Sequence, residues 1–141
     1  MTFLIKFWLV SALLFTLQQA HALSTGIIVV ANTDQPEISV GKRQVRDMFM
    51  QSNSQYGLKP VTLSPDNQAR YVFNTKVVGL TESRIQSYWA QMRFGGKKRP
   101  PQEFDSVEAM LNYVKNNKNT VTYLPADIDV PQGLTIIYKI D

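Results

Sequence analysis

The spacing of apolar positions changes several times along this chain. Residues 26–31, Gly-Ile-Ile-Val-Val-Ala, form a run without a polar break, the pattern of a strand buried on both faces. Residues 32–37 are polar and read as a loop. Val45, Met48 and Phe49 then recur at helical spacing, which predicts a helix over 40–50 with Ser39 as its N-cap and Ile38 as a hydrophobic staple. After a loop at 52–57, residues 60–63 read as a second strand. Ser64-Pro65 is the signature of an N-cap followed by proline at the first helical position. Ala69, Val72, Phe73 and Val77 carry that helix to about Val78. Gly79 suits the left-handed stop, and Thr81 caps the next helix, 82–93, with Ile85, Trp89 and Met92 inward. Gly95-Gly96 ends it. Asp105 or Ser106 caps a further helix with Val107, Met110, Leu111 and Val114 inward. Residues 120–124 and 134–140 read as strands around a loop holding Pro125 and Pro131. The predicted order β-α-β-α-α-α-β-β is an α/β fold, a mostly parallel sheet flanked by helices.

The first residues carry a different signal. Lys6 is the sole charge before Asp34, an apolar run covers 7–17, and Gln18-Gln19 lead into Ala20-His21-Ala22. That is the anatomy of a secretory signal peptide, and the run falls short of the roughly 20 apolar residues a spanning helix needs. The expectation is a cleaved signal over 1–22 and one soluble domain over 23–141, secreted to the periplasm and not membrane-spanning. No cysteine follows the cleavage site, so a lipoprotein is not expected.

Cleavage also removes His21, the chain's one histidine, and cysteine is absent altogether. Nucleophile pairs built on histidine, zinc sites of His or Cys, and disulfides are thereby excluded from residues 23–141. No phosphate-binding glycine loop or dinucleotide fingerprint appears, and no cofactor or metal is expected. Glu103, Asp105 and Glu108 are near one another but show no acid–base pairing, and they read as helix N-terminal charge. The protein is expected not to be an enzyme. Fifteen basic against 11 acidic residues give a net charge of +4. This mild surplus permits an anionic partner, while secretion argues against nucleic acid.

The stretch 61–101 combines several unlike residues at fixed spacing. Val61 and Leu63 precede a polar turn; Arg70, Phe73, Gly79 and the Tyr88-Trp89 pair follow; Phe94, Gly96, Lys97, Pro100 and Pro101 complete F-x-G-K-x-x-P-P. In this combination the chain resembles small secreted proteins related to the substrate-binding protein of phosphate ABC transporters. The resemblance implies one lobe of a type II periplasmic-binding-protein-like fold, a class that usually clamps its ligand between two lobes. It also implies an oxyanion at the turn before Arg70. There the resembling transporter proteins have Ser, Gly and Thr, whereas this chain has Pro65-Asp66-Asn67-Gln68, and it has Thr122 where they have Gly.

Three places carry candidate chemistry. Ser64, Asn67, Gln68 and Arg70 surround a helix N-terminus, which favours an oxyanion; the ordinary alternative is that Asp66 caps the helix and Arg70 is solvated. Asn32 and Thr33 follow the first strand, where ligands of open α/β sheets bind, or form a plain polar turn. Arg93, Lys97, Lys98 and Arg99, held between Gly-Gly and Pro-Pro, are an interaction patch for phosphate, lipid headgroup, cell-wall polymer or acidic protein, or else a solvated charge run. Tyr88, Trp89 and Phe94 are expected to pack in the core. The leading functional reading is a solute-binding domain of the phosphate-binding type, taking phosphate or another small oxyanion. The alternative is a periplasmic interaction or assembly module that has lost its ligand and docks on an envelope protein.

Overall fold

The computed structural model describes residues 25–35, 37–50 and 55–141. The expected signal peptide and its cleavage site lie outside the described residues. Five strands form one sheet in the order β3-β2-β4-β1-β5: β1 is Ile27–Asn32, β2 Lys59–Leu63, β3 Gln102–Phe104, β4 Thr120–Pro125 and β5 Thr135–Ile140. Its helices are α1 (Lys42–Phe49), α2 (Gln68–Phe73), α3 (Glu82–Phe94) and α4 (Val107–Asn116).

The α/β class and the flanking helices are as the sequence predicts. The expectation of a mostly parallel sheet holds for the direction of every strand but β1. β2 pairs parallel with both β3 and β4, but β1 pairs antiparallel with both β4 and β5. Four strands therefore share a direction and β1 alone runs against them. Every residue of β1 is buried, which is why its apolar run carried no directional signal. β3 was not predicted. It is three residues long, includes Gln102 and Glu103, and sits at the sheet edge directly behind Pro100-Pro101, a short and proline-guarded edge.

Two helix starts fall later than expected, each for a local reason. The Val40 N–H donates to the Ile137 carbonyl of β5 at 3.0 Å, which holds Val40 against the sheet. Helix α1 begins only after Gly41, whose N–H donates to Gln44 Oε1; Ser39 is not the cap. In α2 the cap is Asn67, whose Oδ1 accepts from the Ala69 N–H at 2.9 Å. Ser64-Pro65-Asp66 instead form a turn closed by Asn67 N–H to Ser64 O, with Ser64 Oγ donating to Asp66 Oδ1. Asp66 is therefore not the cap either. Past Phe73 the helix widens into a π-turn over Asn74–Val78, and the Gly79 N–H donates to Asn74 O at 2.7 Å. Gly79 itself has φ +73°, the left-handed conformation glycine adopts without steric cost.

The core joins both layers. Phe73 stacks on Tyr123 with ring centroids 4.0 Å apart, and Phe49 tilts against both rings. Beyond Pro60 and Val121, side chains bridge β2 and β4. Thr122 Oγ1 donates to Val61 O, while Tyr123 Oη accepts from the Leu63 N–H and bonds Thr62 Oγ1 at 2.7 Å. Burial pushes the Tyr123 phenol up to about 12, against the opposing effect of those hydrogen bonds. Trp89 is buried, and Tyr88 donates its hydroxyl to Met50 O. Phe94 departs from expectation. It is 98% exposed, because α3 ends there and turns away through Gly95-Gly96.

Candidate functional site

Arg70 is the centre of the polar structure next to the core. It lies on the last turn of α2 with 4% of its surface exposed. A buried guanidinium persists only when its donors are matched, and here they are. Nε and Nη2 donate to the two oxygens of Glu82 at 2.9 and 2.6 Å, a bidentate fork. Nη1 donates to Leu63 O at 2.6 Å and to Glu103 Oε1 at 3.0 Å. Arg70 is thus neither solvated nor open to a ligand, which corrects both readings made from the sequence.

Glu82 is the more heavily coordinated partner. Besides Arg70, it accepts from Asn74 Nδ2 at 2.8 Å and Gln86 Nε2 at 2.6 Å. Burial alone would raise its carboxyl pKa. Hydrogen bonds from Arg70 and Gln86, the Arg70 charge and the Asn74 amide outweigh burial, and the pKa is lowered. Burial likewise works against the Arg70 cation, and the hydrogen bonds to Glu82 and Glu103 reverse that and raise its pKa. Beside this network lies a cavity of about 40 Å³, bordered by Thr62, Asn74, Gln86, Glu103, Trp89 and Pro101 among others. That is room for about one or two water molecules.

The remaining predicted site residues are distributed. Register shows why Asn32-Thr33 and Ser64–Arg70 are not brought together. Asn32 faces Thr120, the first residue of β4, and Thr120 also pairs with Lys59, the first residue of β2. Since β1 runs backwards, its carboxyl end lies at the end of the sheet opposite Ser64. Asn32 is buried there, its amide donating to Val114 O and Lys115 O at the end of α4. Thr33 Oγ1 accepts from the Gln35 N–H, and Gln68 is exposed.

The basic segment follows α3. Arg93 lies in the last turn of that helix, Gly96 turns the chain at φ +65°, and Lys97, Lys98 and Arg99 lead into Pro100-Pro101. Arg93, Gly96, Lys97, Lys98, Arg99 and Pro100 wall an open hollow of about 940 Å³. Arg93 also borders the small cavity beside Arg70, so the hollow adjoins the buried network. No group of acidic residues among the described residues is disposed to hold a metal ion.

Sequence reasoning missed Glu82, Asn74, Gln86 and Glu103 as one network. Glu82 was visible only as an acid opening α3. Glu103 read as helix N-terminal charge, yet it sits on the unpredicted strand β3, and its carboxylate faces Arg70.

No protein-family model matches the sequence, and no curated protein does either. Solved structures do match. An ABC-type phosphate transport receptor from Vibrio cholerae aligns with a TM-score of 0.60 at 17% identity, over 79% of this chain and 45% of the receptor. A protein described as a phosphate ABC transporter substrate-binding protein, from Clostridium perfringens and solved with bound phosphate, aligns at 0.61 and 14%, over 79% of this chain and 44% of that one. The chain spans less than half the length of these structures, and its fold is that of a single lobe of a periplasmic-binding-protein-like domain.

Proposed function

We infer that this is a non-enzymatic, solute-binding-like domain, exported to the periplasm, that takes a phosphate-bearing anion through the basic segment after α3. The observation that supports this reading is the hollow walled by Arg93, Lys97, Lys98 and Arg99 with Gly96 and Pro100. The cation nearest the Ser64 turn, Arg70, is already neutralised by two carboxylates. The hollow is wider than one phosphate, so a polyanion fills it better than the free ion, and exposed charges make the contact sensitive to salt. Calorimetry with inorganic phosphate and tripolyphosphate is the test. Tripolyphosphate binds more tightly, and the Lys97→Glu/Arg99→Glu variant loses the signal. Absence of heat with either anion up to about 10 mM, weaker than most useful affinities, overturns the reading.

A second reading, the interaction or assembly module, is favoured by the 98% exposure of Phe94 beside these cations. Aromatic residues are enriched at protein interfaces. Cross-linking in the native envelope then captures a partner that the Phe94→Ser variant loses; undiminished capture excludes Phe94 as the contact.

A further inference from the structure

The coordination of Glu82 is that of a bound oxyanion. Four N–H donors from three side chains converge on one carboxylate, two on each oxygen: Arg70 Nη2 and Gln86 Nε2 on Oε1, Arg70 Nε and Asn74 Nδ2 on Oε2. A surface ion pair needs one such contact and gains little from it. The donors are held by separate devices. Arg70 is anchored through Nη1 to Leu63 O. Asn74, itself buried, opens the π-turn. Gln86 is on the first turns of α3 and faces solvent on the outer side. An acceptor other than Glu82 would meet the same fork, the same amides and a cavity already bordering them.

We propose that Arg70, Asn74 and Gln86 form an oxyanion-binding cage that the Glu82 side chain fills as an internal ligand. Removing that side chain opens a site for a small free oxyanion, with a preference set by charge. Arg70 faces two carboxylates in the native chain. With Glu82 truncated, a monovalent carboxylate such as formate restores the native balance, whereas the phosphate dianion adds one more negative charge beside Glu103. The cage therefore favours formate over phosphate while Glu103 is present and admits phosphate once Glu103 is neutralised. This inference rests on residues other than those of the basic hollow.

The experiment is thermal unfolding of the wild type, Glu82→Ala, Glu82→Gln and Glu82→Ala/Glu103→Gln proteins in 100 mM formate, phosphate or chloride at constant ionic strength. Glu82→Ala melts below wild type in chloride. Formate raises its Tm by about 3–6 °C more than it raises wild type or Glu82→Gln, the size a tenfold excess over Kd gives in a domain of this length. Phosphate produces that excess only in the double variant. The pattern persists when Lys97 and Arg99 are reversed to Glu, which separates it from anion binding at the hollow. If Glu82→Ala is unfolded in chloride, its refolding by formate, followed by circular dichroism, is the readout. Equal formate shifts in Glu82→Ala, Glu82→Gln and wild type, or failure of formate to refold an unfolded Glu82→Ala, overturn the proposal.

Discussion

Replacing Arg70 by Met keeps the volume near the core and removes the charge. Its side chain is 5% exposed, against 30% for Glu82 and 41% for Glu103. Breaking a buried pair by deleting one partner costs about 3–5 kcal/mol, because the other charge is left uncompensated. The partial exposure of Glu82 places the loss toward the lower end, and Glu103 adds no more than the ~0–1 kcal/mol of an accessible pair. The orphaned Leu63 carbonyl adds about 1 kcal/mol. A total of about 4–5 kcal/mol is a large share of the ~5–15 kcal/mol that holds a domain together. With a urea m-value of about 1.5–2 kcal/mol/M, the midpoint falls by about 2–3 M. Trp89, buried beside the same cavity, reports the transition by fluorescence. The companion variant Arg70→Met/Glu82→Gln separates charge from packing. It leaves Asn74 and Gln86 to solvate a neutral amide, so it costs no more than Arg70→Met alone, and the two sites couple. A loss below about 1 kcal/mol for Arg70→Met, or a double variant that simply adds the single effects, refutes this account of the network.

Three further outcomes follow from the geometry and one from the sequence. Because the folded pKa of Glu82 is depressed, its contribution is complete above the unfolded carboxyl value of 4.5 and is lost as pH falls through the folded value; urea midpoints of wild type should therefore drop on acidification more than those of Glu82→Gln. At the alkaline end the Tyr123 phenol ionises first in the unfolded chain, so stability is lost between pH 10.0 and about 12, and Tyr123→Phe should flatten that limb. Gly79→Ala forces φ +73° on a residue with a Cβ, yet nothing lies within 4 Å of the added carbon; the cost is about 1 kcal/mol of backbone strain, and Gly79→Asn recovers part of it. Intact mass of the exported protein should correspond to residues 23–141, and retention of His21 would disprove the expected cleavage.

Legibility from sequence tracked how local the cause was. Gly79, Thr81 and Ser106 act on their own helix ends, and all three behave as their residue types predict. The apolar run of β1 and the helical face of α2 were equally plain. Strand direction was not, since a strand buried on both faces looks the same from either end. The starts of α1 and α2 shifted because distant or neighbouring groups intervened, the Ile137 carbonyl in one case and the Ser64–Asp66 turn in the other. Arg70 was found as a residue of interest, but its partners stand 12 and 33 positions away. No periodicity connects them. The link passes through Asn74 on a π-turn and through a three-residue strand that polar composition conceals. The basic segment was legible because its neighbours, Gly and Pro on either side, define a loop by themselves.

The solitary reversed strand sets the order in which this domain can assemble. β1 is the first strand, and it lies between β4 and β5, the last two. Ile27 meets Pro125 on one side and Ile140 on the other, so the loops to be closed span nearly the whole described chain. Contacts of that sequence separation make folding slow. β1 has no hydrogen-bonding neighbour until β4, about 90 residues later, is available to flank it. A chain emerging N-terminus first therefore presents an unpaired apolar strand until residues 120–125 have followed, and β5 then covers its other side.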